Sequence, residues 1–185
     1  MPAVLSTWPR RFRACLAGAL ALWLWGCTGV PDGLTPVGDF QVQRYLGTWY
    51  EIARLDHSFE RGLSRVTATY EQRDDGTIGV VNRGFDAATG EWEEAAGKAR
   101  FAGAEDVASL EVSFFGPFYG GYHVIVLDHE DYAYAMVSGP SRDYLWILAR
   151  RPELSQDVVD ALVAKASQLG FATRDLIFVE HAPAG

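Results

Sequence analysis

Catalysis would require side chains that this chain does not group together. No Gly-x-Ser-x-Gly elbow presents a serine nucleophile. The four histidines, His57, His123, His129 and His181, lack the paired spacing of metal ligands. No glycine-rich phosphate loop is found, because the glycines fall at turns and on strands. The densest acid–imidazole cluster, Asp128-His129-Glu130-Asp131, lies between two apolar runs and reads as a solvated corner. Glu51 is different. It alternates with Trp49 and Ala53 on one strand face, and a carboxylate turned inward is costly unless it is hydrogen-bonded. It reads as a polar floor, a partner for Arg150, or a titratable group touching a ligand. This inventory suits binding, with apolar walls and a few placed polar groups.

Those residues need a scaffold, and the turn signals supply one. Eight strand-like runs follow one another: Trp49–Asp56, Val66–Arg73, Thr77–Phe85, Trp92–Phe101, Ala108–Phe115, Tyr122–Asp128, Tyr132–Ser138 and Asp143–Arg150. Short turns separate them, and Asp74-Asp75-Gly76 has the Asp-Gly pair of a tight hairpin. After Pro152 the apolar period changes from two to 3.6. Val158, Val159, Leu162, Val163, Ala166 and Leu169 then form one stripe, with Ser155 as N-cap and Gly170 just past the end. Asp175–Glu180 reads as a short last strand. Sequential strands with short turns predict an all-β fold: an eight-stranded antiparallel up-and-down barrel, with one C-terminal helix packed outside. Eight strands close around space for one small ligand.

The first 26 residues read as a leader: Arg10, Arg11 and Arg13, then an apolar run from Ala14 to Trp25 that is too short to span a bilayer. Leu24-Trp25-Gly26-Cys27 resembles the lipobox of bacterial lipoproteins, although Trp25 stands where a small or β-branched residue is usual. The resemblance implies a diacylglyceryl group on Cys27, cleavage before it and acylation of the new amine. Thr28, standing where inner-membrane retention usually wants Asp, implies sorting to the outer membrane, with the barrel facing the periplasm. Several acyl chains anchor firmly where one binds only marginally. Residues 27–39 then read as a lipidated cysteine and a flexible tether of about 20 Å reach, and 40–185 as the barrel domain.

The chain of 185 residues is 49% hydrophobic, with a formal charge of −8. Loss of the leader, with its three arginines and no acids, leaves −11. That excludes nucleic acid, which needs a basic footprint. Cys15 leaves with the leader and Cys27 is lipidated, so no disulfide remains and the core alone must hold the fold. No metal or other cofactor is expected.

Three motifs now fall in order: Gly47-Thr48-Trp49, the Asp128…Tyr132 turn, and Arg150 closing the last barrel strand. They resemble the three signatures of the lipocalin family. Gly47–Gly62, Val112–Tyr122 and Asp143–Arg150 are similar to its bacterial outer-membrane lipoprotein branch, and the likeness spans about residues 40–181. It implies that Arg150 lies across Trp49 at the closed end, which suits a planar guanidinium on an indole. It also implies a cavity for a fatty acid or lysophospholipid, held for storage or transport in the cell envelope. Trp49 sets the phase of alternation. With the family pattern, this gives an inward, ligand-facing set: Ala53, Ala68, Tyr70, Val80, Asn82, Ala95, Ala99, Val112, Phe114, Tyr122, Val124, Ala135, Val137, Tyr144 and Trp146. Its alanines favour a hollow over a filled barrel. His57, Phe59, Phe118 and Tyr119 belong to loops at the open end, where exposed aromatics leave room for a homodimer or a membrane contact. A lipid-processing enzyme on the same barrel, or a structural lipoprotein with a filled one, are the competing readings.

Overall fold

The computed structural model describes residues 28–181. Its eight barrel strands are β1 (Gly47–Arg54), β2 (Leu63–Gln72), β3 (Ile78–Asp86), β4 (Glu91–Phe101), β5 (Ser109–Phe115), β6 (Phe118–Leu127), β7 (Tyr134–Ser138) and β8 (Leu145–Ala149). Each pairs antiparallel with the next, and β8 returns to β1, so the sheet closes on itself, although β4 meets β5 only from Lys98 to Phe101 and its first residues form an open arm with β3. A one-turn helix α1 (Val42–Tyr45) precedes β1, and α2 (Gln156–Gln168) follows β8. The last strand, β9 (Ile177–Phe178), is shorter than Asp175–Glu180, because Asp175 closes a 3-10 turn over Thr173–Asp175. β1 pairs with β2 only from Gly47 to Tyr50, and beyond that β9 takes over against Ala53 and Arg54. The amide of Arg65 on β2 donates to the carbonyl of Glu180, so the C-terminal stretch seals the seam where β1 and β2 separate.

Alternation sorts the apolar residues into two layers. One fills the barrel between Trp49, Tyr70, Val80, Ala99, Leu110, Val124, Val137 and Leu148. The other lies outside, where Ile52, Met136, Leu145, Ile147 and Ala149 meet Val159, Leu162 and Ala166 of α2. The stripe read from the sequence is thus the buried face of that helix. Gly170 has φ +84, as its place past the helix end requires. Ser155 precedes the helix in an extended conformation, but its hydroxyl makes no capping bond; its carbonyl accepts from Val158 and Val159 instead.

Two expectations are corrected here. Ala53 does not face the interior. The pairing of β1 with β8 shifts between Glu51 and Ala53, so Glu51 opposes Leu148 while Ala53 opposes the outward Ile147. One extra residue reverses the phase of everything after it. Ala53 packs beneath α2, and Arg54 turns inward opposite Trp146. Nor do residues 28–39 form a free tether. The Val37 amide donates to the Val124 carbonyl, the Ala108 amide donates to Val37, and Phe40 bonds to Asp106. Leu34 is buried with the α2 layer, and Arg142 donates to the Asp32 carbonyl at 2.6 Å. Cys27, with residues 1–26 and 182–185, lies outside the described residues.

Candidate ligand-binding site

The closed end is built first, since it sets the floor. Gly47 opens β1 at φ +95, and a Cβ there would lie 3.4 Å from the Arg150 guanidinium. Only glycine accepts that conformation at no steric cost. The backbone then delivers Trp49, fully buried, with its indole N–H donating to the Tyr45 carbonyl at 2.8 Å. Arg150 lies 4.0 Å over the indole ring and donates to the carbonyls of Thr48 and Arg44. The sequence-predicted residues Gly47, Trp49 and Arg150 are therefore in contact, tying the first strand to the end of the last. The Asp128–Asp131 corner is also at this end. Its Asp128 carboxylate accepts from the amides of Glu130 and Ala133, and Arg44 stacks over Tyr132 at 4.2 Å.

Three tyrosines stand above the floor. The Tyr70 hydroxyl donates to that of Tyr122 at 2.8 Å, and the Tyr45 and Tyr122 hydroxyls are 2.7 Å apart. Burial pushes all three phenols above their ordinary range, so they stay neutral. Val80, Ala99, Val124, Ala135 and Val137 are closed off from solvent around them, as a packed base requires.

Further up, the interior changes character. Trp49, Ala68, Asn82 and Ala95 form one cross-strand row running from β1 to β4. Ala68 and Asn82 are only half-buried and Ala95 is exposed, although the row faces inward. Val112, Phe114, Tyr122, Tyr144 and Trp146 are half-buried as well. Half-buried side chains on the inward face fit an interior left open in this half, and on the β4 side the opening is widened because residues 91–97 have no partner on β5. Gly97 shares the inward phase, and a Cβ there would come within 2.6 Å of the Ser113 carbonyl and 2.8 Å of the Phe114 ring. That glycine lets the Phe114 ring lie against the wall.

The polar part of the site is the group that sequence reading mostly missed. Arg54, inward because of the shift in β1, donates to Glu51 at 2.6 Å and to the carbonyls of Glu60 and Leu63. Glu60 comes from the β1–β2 loop and accepts from the Trp146 indole at 3.1 Å, with His57 Nε2 also 3.1 Å away. Burial, followed by the neighbouring charge of Glu60, pushes the Glu51 carboxyl well above its usual range despite Arg54. Burial also acts to raise Glu60, but His57, Glu51 and the Trp146 N–H outweigh it and leave that carboxyl low. The two carboxyls titrate as a pair, with Glu51 pushed toward its protonated form and Glu60 toward its ionised one. Glu51 was legible as the inward charge, but its partner is Arg54 rather than Arg150. No periodicity marks Arg54 or Glu60, because the first depends on a bulge and the second on a loop.

Above this network His57, Phe59, Tyr144 and Trp146 pack as an aromatic wall, with the Phe59 and Tyr144 rings parallel within 8°. His57 is buried, whereas Phe59 and Phe118 stand largely exposed. Tyr119 lies on β6 rather than in a loop, and its ring is covered by Arg100 at 4.3 Å. Buried polar atoms in this half without a hydrogen-bond partner include Asn82 Oδ1, His57 Nδ1 and Arg54 Nε. Among the described residues no cluster of His, Cys, Asp and Glu could hold a metal ion. The arrangement can take an apolar chain along the row of small residues and a polar group beside Asn82 and His57.

Comparisons with known proteins agree with this geometry. Residues 40–181 match the family model of the lipocalin-like domain. The outer membrane lipoprotein Blc of Vibrio cholerae is 53% identical over 156 residues, covering 84% of this chain and 91% of that one. Its namesake in Escherichia coli K12 is 55% identical over 151 residues, covering 82% and 85%. Insecticyanin from the tobacco hornworm Manduca sexta superposes with a TM-score of 0.64 at 22% identity, over 84% of this chain and 88% of that one.

Proposed function

This chain belongs to the lipocalin family, and from that premise we propose that it is a binding protein of the outer membrane. It is anchored through a lipidated Cys27 after removal of residues 1–26. Its barrel holds a fatty acid or a lysophospholipid for storage or transport in the envelope, without chemical change. The observation that carries this reading is the division of the interior into a packed base and a solvent-reached upper half lined by small apolar residues. The row Ala68, Asn82, Ala95 would pass the acyl chain, with Val112, Phe114, Tyr122 and Tyr144 around it. Each buried methylene contributes about 0.8 kcal/mol before ordering costs. The Glu51–Arg54–Glu60 group and the unpaired Asn82 and His57 atoms sit where a headgroup would rest.

Trp146 reports on occupancy, since it faces the hollow and its indole N–H is held by Glu60. Titrating delipidated protein with lysophospholipid and with fatty acid should change tryptophan fluorescence, and Trp146→Phe should suppress most of that change. Mass spectrometry of the bound lipid after incubation should return it intact. Failure of both lipids to bind, or their conversion, would reject the proposal.

A further inference from the structure

The segment before the barrel is pinned, and its course fixes where the anchor leaves the molecule. Phe40 is bonded at the closed end to Asp106 in the β4–β5 turn. Residues 39 to 28 then climb the outer wall: Val37 pairs with Val124, and Asp32 meets Arg142 of the β7–β8 connection at the open end. Thr28 stops against β6, where a Cβ on Gly121 would lie 2.9 Å from its carbonyl. Thr28 is the residue to which Cys27 is joined in the chain. Three residues up β6 from Gly121, about 10 Å at strand rise, is Phe118.

That tip is apolar. Phe115 is 80% and Phe118 75% exposed, flanking the turn between β5 and β6. From Val112 to Tyr122 the chain carries no charged residue. Exposed aromatics of this size are unusual on a water-facing surface and mark a contact. Phe59, 62% exposed, stands on the β1–β2 loop of the same rim. The closed end is the opposite, with Arg73, Asp74 and Asp75 on one hairpin and Asp128 to Asp131 on another. The acidic β3–β4 arm, with Glu91, Glu93 and Glu94, keeps its side of the rim in water.

We infer that the barrel rests mouth-down and tilted on the bilayer that holds its anchor, with Phe115 and Phe118 inserted among the acyl chains. The inference rests on the acylated Cys27 of the preceding section. Its consequence is that lipid passes between membrane and cavity across the β5–β6 rim without crossing bulk water. The strongly acidic surface makes this an apolar contact, independent of anionic lipid.

The test uses the lipidated protein in phosphatidylcholine vesicles. The mature chain offers no other free thiol, so Phe118→Cys takes a polarity-sensitive fluorophore, and Asp75→Cys on the β2–β3 hairpin provides the closed-end control. Emission at position 118 should shift to the blue and resist an aqueous quencher, while position 75 does neither. No shift at 118, or an equal shift at 75, overturns the orientation. A shift at 118 that appears without vesicles assigns the tip to a second copy of the chain and overturns it too. A mature protein whose Cys27 bears no lipid does the same. Lysophospholipid retention, measured on the same samples, separates the two readings: retention without the shift sinks the orientation alone, and the shift without retention sinks the binding function alone.

Discussion

The two halves of this barrel use the same kinds of residue to opposite ends. At the closed end an indole, a guanidinium and three phenols are all paired, and the aliphatic side chains between them exclude solvent. At the open end another indole, another guanidinium and another group of rings surround space, and Asn82 and His57 keep buried atoms unpaired. The closed half is finished without a ligand and the open half is not. Stability should therefore be concentrated at one end and recognition at the other, consistent with functional elements being drawn from the less stable parts of a fold.

The sharpest way to break this contrast is to truncate the two indoles. Trp49→Ala leaves a large cavity, two hydrogen-bonded strands without their plug and Arg150 without its ring. The expected loss is about 3–5 kcal/mol in denaturant unfolding. Trp146→Ala, facing the hollow, should lose less than half as much while abolishing the lipid-induced fluorescence change. Equal losses would mean that both ends are structural.

Arg150→Ala is the next largest. It removes a cation–π contact of about 1–2 kcal/mol together with two hydrogen bonds to backbone carbonyls. A lower unfolding midpoint with unchanged lipid affinity is expected. Reduced affinity at constant stability would show that the closed end reaches the ligand after all.

Ala95→Trp tests the other half. Ala95 faces inward yet is exposed, so a large side chain there enters the hollow without meeting the core. Lysophospholipid affinity should fall by about tenfold, or roughly 1.4 kcal/mol, with little change in the unfolding midpoint. Unimpaired binding would place the acyl chain elsewhere.

How much of this the sequence reveals also divides along the barrel. The closed end is legible because Gly47, Trp49 and Arg150 each have a single physical reason for their type, and because the strands around them alternate cleanly. The helix is legible from its stripe. Ala53 is not. Ile52 and Ala53 are both apolar, so the register shift that turns Ala53 outward and Arg54 inward leaves no trace in composition. The pinned course of residues 28–39 is hidden for a related reason. Its attachments run mostly through backbone amides and carbonyls, which any residue but proline provides on both sides. Leu34 and Val37 are the signal, two aliphatic residues among glycines and prolines, and both pack against the protein.

The last and smallest effect concerns Glu51, and its sign is the test. A carboxyl raised in the folded state holds a proton that the unfolded chain has released. The stability this contributes is complete below the ordinary value of 4.5 and is lost as pH rises through the folded value. Glu60 is lowered, so its contribution is present above the ordinary value and is lost as pH falls through its own. The two titrate as a pair, and above the folded value of Glu51 the cost of its buried charge is the one that remains. Glu51→Gln keeps an acceptor for Arg54 but has no proton to lose. Its unfolding midpoint should match that of the unsubstituted protein in acid and exceed it on the alkaline side, the gap widening as pH rises. A gap that instead opens in acid would mean that Glu51 is ionised in the folded protein. Arg54 would then be its full counter-charge, and the open half would carry a settled ion pair rather than a protonated Glu51 awaiting a headgroup.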